Sequence, residues 1–204
     1  MVPAVCSHCG AQHEVSAYPS MNTAQEPDLK ARVLDGSLFV WECPYCGGRN
    51  LVKYETLYHD PDGKLMVWLL PEGKMQPKAV EDAVKALDGY TLRRVGEVGE
   101  LIEKVKIHEA GLDDWTMELC KWVTRQELSA KNPEMAGAQL RFHRLEGADH
   151  SLVFVFPLNG SMNEVSVGFN VYEDASGILR RNPQAGVESG FAVVDADRIL
   201  QYFR

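Results

Sequence analysis

Apolar and polar positions along the first 73 residues alternate over short runs, each closed by residues that favour tight turns. Val2 to Val5, His13 to Tyr18, Leu38 to Glu42, Leu51 to Tyr58 and Lys64 to Leu70 read as strands. Asp60-Pro61-Asp62-Gly63 reads as the reverse turn between the last two. One segment breaks the pattern. Glu26 to Gly36 reads as a short helix, with Pro27 suited to its first turn and Gly36 to its exit.

The period then lengthens. Val80, Ala83, Val84 and Leu87 recur at i, i+3, i+4, i+7 before Gly89, and Val98, Leu101, Ile102 and Val105 repeat that spacing before Gly111. A third helix is predicted to start at the cap residues Asp113 and Asp114, with Leu112, Trp115, Leu119 and Trp122 on one face. From residue 139 the period returns to two. Leu140 and Phe142, the apolar run Leu152 to Phe156, and the alternation of Val165, Val167, Phe169 and Val171 predict an antiparallel sheet of three or more strands. Asp195 to Phe203 reads as a short capped helix with Ile199, Leu200 and Phe203 inward. The changes of period suggest a domain over residues 1–130 and a strand-rich region over 131–204, packed on the first or folding by itself.

Composition narrows the class. The 204-residue chain is 45% hydrophobic and 25% charged, a globular balance rather than a disordered one. Its net charge is −8, and residues 1–75, 76–130 and 131–204 are each net acidic. That counts against a protein that grips phosphate backbones, so nucleic acid is an unlikely partner. No run approaches the roughly 18 apolar residues of a membrane span, and Met-Val-Pro-Ala-Val-Cys lacks the basic start and apolar core of a signal peptide. The expected compartment is the cytoplasm, where paired cysteines serve as metal ligands or redox groups rather than a disulfide framework.

The strongest chemical signal is Cys-x2-Cys twice, Cys6/Cys9 and Cys43/Cys46, each pair followed by glycine and flanked by strand-like segments. Four thiolates from two tight turns suit one tetrahedral Zn²⁺ with a closed, structural coordination shell. Gly10 and Gly47 are expected at positive φ, turning backbone N–H groups toward the sulfurs. The 33 residues between Cys9 and Cys43 exceed the usual ribbon spacing of about 15–20, and the helix at 26–36 accounts for the excess. A thiol redox cluster, a rubredoxin-type iron site and a catalytic zinc are the competing readings.

These motifs, together with Leu34-Asp35-Gly36-Ser37-Leu38-Phe39, Leu57-Tyr58-His59-Asp60, Leu69-Leu70-Pro71 and Leu101-Ile102-Glu103-Lys104 followed by Gly111-Leu112-Asp113-Asp114, resemble the CpXC domain family of bacterial proteins over roughly residues 4–125. Only the second pair, Cys43-Pro44-Tyr45-Cys46, carries the name-giving motif in full, since Ser7 stands where Pro44 does. The resemblance implies a zinc-ribbon-like module and supplies no catalytic residues. The resulting fold class is α+β: N-terminal zinc-ribbon-like β-hairpins with an inserted helix, a helical middle and a C-terminal antiparallel sheet.

Other polar residues have structural readings first. Cys120 is expected to be a small buried hydrophobe. His8 is expected in solvent on the first knuckle, and His13 is a spare ligand that four cysteines make unnecessary. His59 with Asp60 or Asp62 is either a capped turn or a weak second metal site. Asp113 and Asp114, near His108 and Glu109, are expected to cap a helix. Walker, dinucleotide, nucleophile-elbow and zinc-protease motifs are absent. An enzyme would need His108 or His143 beside an acidic partner. Trp41, with Phe39 on the same strand, belongs to a small core under the metal or to an aromatic platform for a protein partner. The function expected is a structural zinc module for protein interaction, with a thiol redox switch as the alternative.

Overall fold

The computed structural model describes residues 1–71, 87–186 and 190–203. They form two compact units, Met1–Ile102 and Glu103–Arg204.

In the first unit, β1 (Val2–Val5) and β2 (Gln12–Val15) make an antiparallel hairpin. β4 (Val40–Glu42) and β5 (Arg49–Leu51) make a second. Between them lie β3 (Ser20–Asn22) and α1 (Pro27–Leu34). The inserted helix is the one expected. Pro27 sits in its first turn, Leu29 and Val33 are its buried positions, and Gly36 takes φ 78° just past its end. A four-stranded mixed sheet completes the unit, in the order β3, β6 (Thr56–Asp60), β7 (Leu65–Leu69), β8 (Thr91–Val95). Its β3–β6 and β7–β8 pairs are parallel and β6–β7 is antiparallel.

The strand expected over Leu51 to Tyr58 is two strands in different sheets. Val52 to Glu55 interrupts it, and the Tyr54 side chain lies against Phe39 with ring centroids 5.8 Å apart. The three-residue β3 is too short to be read from periodicity, and β8 has adjacent Arg93 and Arg94 where a strand pattern would alternate. The helix expected from Val80 to Leu87 falls on residues 80–86, outside the described residues.

Asp60, at the end of β6, is 2% exposed and bonds in three directions. It pairs with Lys30 Nζ of α1 at 2.9 Å, accepts from Thr23 Oγ1 at 3.1 Å and accepts from the Gly63 N–H at 3.2 Å. Burial alone would raise its pKa, but these partners outweigh burial and lower it. His59 points to the other side of the strand, where its Nε2 lies 3.1 Å from the Tyr90 hydroxyl. The turn reading of His59-Asp60 is therefore the one realised, and the two side chains do not converge on a metal.

The second unit begins within α2 (Val98–Glu109) and continues through α3 (Asp114–Lys131), β9 (Arg141–Glu146), β10 (Ser151–Leu158), β11 (Ser161–Val167), α4 (Asn170–Arg180) and α5 (Ala196–Leu200). The three strands form an antiparallel sheet in the order β11-β10-β9. One core holds Trp115, Met117, Leu119 and Cys120 of α3 with Phe142, Leu152, Phe154 and Phe156 of the sheet. Because α3 shares that core, the compact unit begins at residue 103, while residue 130 lies near the end of α3.

The alternation expected to run on to Val171 stops at Val167. After Gly168 the chain turns into α4, where Val171, Tyr172, Ala175, Ile178 and Leu179 fall at i, i+1, i+4, i+7, i+8 against the core. Near the C-terminal end Asp195 caps α5 through the Arg198 N–H, and Ile199 is fully buried, but Phe203 is 38% exposed rather than inward.

Ionic groups are buried beside this core. Lys104 Nζ, 4% exposed, lies 3.0 Å from Asp114 Oδ2 and 3.3 Å from Glu118 Oε1, and donates to the Val194 carbonyl at 2.8 Å. Lys121 Nζ bridges Glu118 at 2.7 Å and Glu103 at 3.0 Å, and Glu103 Oε1 also accepts from the Phe142 N–H at 2.7 Å. Removing one member of such a network leaves buried charge unpaired. Lys104→Met is expected to cost about 3–5 kcal/mol in urea denaturation.

Asp60→Ala is expected to cost about 1.5–3 kcal/mol at pH 7, the range for hydrogen bonds to charged groups. Because the folded pKa is depressed, this contribution is full above the unfolded value of about 3.9 and is lost as pH falls through the folded value. The difference in urea midpoint between wild type and Asp60→Ala should accordingly be wide at pH 7 and shrink under acid.

Candidate metal centre

Each Cys-x2-Cys pair occupies the tip of a hairpin, and backbone geometry repeats between the two tips. The Cys6 N–H donates to the Ala11 carbonyl at 2.9 Å and the Gly10 N–H to the Cys6 carbonyl at 2.9 Å. In the second knuckle Cys43 N–H donates to the Gly48 carbonyl at 2.9 Å and Gly47 N–H to the Cys43 carbonyl at 2.8 Å. Gly10 and Gly47 take φ of 74° and 69°, as expected from a turn that L-residues adopt only with strain. Their N–H groups, however, reach carbonyl oxygens. The N–H groups that face sulfur come from neighbours: His8 and Cys9 toward Cys6, Ala11 toward Cys9, and Gly48 toward Cys46.

The four sulfurs lie within 4.8 Å of one another, and all four cysteines are free thiols. Cys6 and Cys43 are buried while Cys9 and Cys46 are exposed. Across the knuckles, Cys6 Sγ is 3.6 Å from Cys46 Sγ and Cys9 Sγ is 3.7 Å from Cys43 Sγ. A tetrahedral ion with metal–sulfur bonds of about 2.3 Å has sulfur–sulfur edges of about 3.8 Å, so the donor set fits a metal ion of that size. Among the described residues no other group of three or more His, Cys, Asp or Glu comes together in this way.

Charge is unevenly held by the bare thiols. Desolvation opposes ionisation of Cys6, but the Cys9 and His8 N–H groups, the Asn50 amide and Cys46 bring its pKa down to about 6. At Cys46 the Gly48 N–H favours the thiolate, yet desolvation and the three neighbouring thiols push the value up to about 12. Four thiolates at this spacing repel one another strongly, and a cation is what allows all four to ionise together.

Two residues that the sequence reading left out join the knuckles. Asn50, 7% exposed on β5, accepts from the Ser7 N–H at 2.8 Å and the Ser7 hydroxyl at 2.9 Å. Its Nδ2 donates to the Gly48 carbonyl at 2.7 Å and lies 3.4 Å from Cys6 Sγ. Gly48 is required by close approach, since a Cβ there would stand 2.5 Å from the His8 ring. An Asn four residues after the last ligand of a pair is a faint signal at best. His8 is exposed, as expected, with Nε2 3.3 Å from the Arg49 carbonyl. His13 contributes a hydrogen bond rather than a ligand, its Nε2 lying 3.4 Å from Cys43 Sγ.

A family model for CpXC protein matches residues 4–121, more than half of the chain. The chain belongs to the CpXC family. No curated protein and no solved structure matches it. The CpXC span takes in all four clustered cysteines and also Glu103, Lys104, Asp114, Glu118 and Lys121 of the buried ionic network.

The remaining candidates in this CpXC protein fill structural places. Cys120 is fully buried, its thiol pushed up to about 12 by desolvation, which makes it a small apolar side chain. Asp113 caps α3, accepting from both the N–H and the hydroxyl of Thr116 at 2.7 Å, and Asp114 pairs with Lys104. His143 Nδ1 lies 3.1 Å from Lys106 Nζ, and among the charges that act on it the cations Lys106 and Arg144 outweigh the carboxylate Glu164. Its pKa is lowered by desolvation first and then by Lys106 and Arg144.

Asn50→Ala is expected to weaken a thiolate-bound metal ten- to a hundredfold, the usual effect of losing a partner that orients a ligand. Competition between the protein and a chromophoric chelator for added Zn²⁺ reads this directly.

Proposed function

We propose that Cys6, Cys9, Cys43 and Cys46 hold one structural Zn²⁺ as thiolates, and that the metal fixes a module for binding a protein partner in the cytoplasm. The observation that carries the metal is the pair of sulfur–sulfur distances at a tetrahedral edge. Four protein donors complete the shell and leave no position for a substrate, which favours a structural over a catalytic ion. Cysteines that ligate a metal as thiolates suit the reducing cytoplasm. No helix among the described residues is long and apolar enough to cross a membrane. The net charge of −8 favours a protein over a nucleic acid as partner.

A second reading rests on the exposure of Cys9 and Cys46. In a redox switch one hydrogen peroxide per pair would take two electrons from the two thiolates and two protons from solvent, giving a Cys6–Cys9 or Cys43–Cys46 disulfide and two waters, and the metal, left without thiolate ligands, would be released.

Metal analysis of the purified chain should return one zinc per polypeptide. Chelation should lower the thermal midpoint of the first unit, because ion binding and folding are coupled in such sites. An unchanged midpoint after complete zinc removal would sink the structural role. Zinc release and disulfides at micromolar peroxide favour the switch, and an inert cluster removes it. Affinity capture with wild type and Cys43→Ser tests the interaction: a protein retained only by the wild-type chain is the expected result, and an empty capture refutes it.

A further inference from the structure

A cleft of about 290 Å³ lies beside the cysteine cluster, with consecutive residues of two strands on its walls: His13 to Ser16 on one side and Val40 to Glu42 on the other. Consecutive residues line a cleft when it runs along a strand's edge, because side chains alone alternate between faces. Among the described residues β2 pairs only with β1, and β4 only with β5, so both strands turn a free edge to this cleft.

Hydrogen-bond alternation shows which backbone groups are open. Cys43 bonds to Gly48, and the Val52 N–H bonds to the Phe39 carbonyl, so residues 39, 41 and 43 use their backbone groups within the hairpin. Glu42 therefore directs N–H and C=O to the free edge and Val40 its C=O, the Val40 N–H being held by the Ser37 carbonyl. By the same count from the Cys6–Ala11 bond, His13 and Val15 face β1 while Gln12 and Glu14 face outward. No backbone bond joins β2 to β4 among the described residues. A cleft edged by open backbone donors and acceptors is built for a strand.

Its side chains indicate charge. Glu14 and Glu42 are exposed and neither has an ion-pair or hydrogen-bond partner among the described residues. Arg32, also on the wall, is engaged with Tyr18, its guanidinium 5.5 Å from the ring centroid and 3.2 Å from the hydroxyl. Toward the knuckle, Trp41, His13 and Tyr45 form a row of rings with centroids 5.3 and 5.1 Å apart, ending at a tyrosine that is 79% exposed. Such faces receive the stems and cations of lysine and arginine.

We infer that this cleft takes an extended peptide segment of a partner protein as an added strand between the edges of β2 and β4, with a basic side chain directed to Glu14 and Glu42. The inference rests on the interaction reading above and names the partner's chemistry. The metal's part is to hold the two hairpins, and hence the two edges, at a fixed separation.

A displayed library of random heptapeptides, selected on the zinc-loaded full chain, tests this without assuming a partner. The expected winners carry at least one Lys or Arg, lack Pro, and lose at least tenfold in affinity on the Glu14→Lys/Glu42→Lys double variant. They should keep their affinity on Asp28→Lys, an exposed charge reversal on α1. Methylating the backbone nitrogens of a winning peptide should weaken binding at neighbouring positions, because a strand between two edges turns successive N–H groups alternately to β2 and to β4, a readout that needs no change to the protein. Failure to enrich any peptide overturns the inference, as do acidic or Pro-rich winners, indifference to the double variant, or tolerance of methylation at every position. A captured partner protein whose binding survives Glu14→Lys/Glu42→Lys would remove the cleft and leave the interaction reading standing.

Discussion

Four sulfur atoms within 4.8 Å are the constraint on which the first unit is organised. A two-stranded hairpin is marginally stable by itself, and here two of them carry the clustered cysteines at their tips. Few apolar contacts are available to fix one tip against the other, since Ser7, His8, Cys9, Pro44, Tyr45 and Cys46 are all exposed. Besides the ring contacts of His13 with Trp41 and Tyr45, the contacts that cross are polar: sulfur to sulfur, Ser7 to Asn50, His8 to the Arg49 carbonyl and His13 to Cys43. Asn50 is the hub of this set, because one buried amide serves both knuckle backbones and a sulfur.

The second unit solves the same problem by other means. Its sheet and helices share a continuous apolar core, so no cross-link is needed to hold them. The ionic network beside the core adds direction rather than much net stability, since buried ion pairs often do no better than well-packed apolar residues. Lys104 links α2 to α3 and to the Val194 carbonyl, and Glu103 links α2 to α3 and to the start of β9. Each carboxylate and ammonium is satisfied only when those elements keep one register.

Much of both units was legible because hydrophobic period is a local property. The inserted helix, the hairpins around the cysteine pairs, α2, α3 and the three-stranded sheet follow from spacing, turn residues and caps. Reading failed where the deciding contact was remote in sequence. Leu51 to Tyr58 has the pattern of one strand, but Tyr54 packs on Phe39; Phe169 and Val171 continue a strand's alternation, but they pack on the core that α3 and the sheet share. At the site, the cysteines and the glycine turns could be read, but Asn50 and Gly48 could not. Their roles depend on Ser7 and His8, 40 or more positions away.

By itself, then, the sequence determined which four residues share a metal-binding chemistry, because Cys-x2-Cys-Gly is complete within a single turn. It also determined an α+β chain with a net charge of −8. Only the tertiary structure decided that the four sulfurs come within 4.8 Å of one another, that an asparagine joins the two turns, and that β2 and β4 leave open edges on one cleft. Those are distances and orientations between segments, and a one-dimensional pattern carries residue types and intervals without the distances that folding sets.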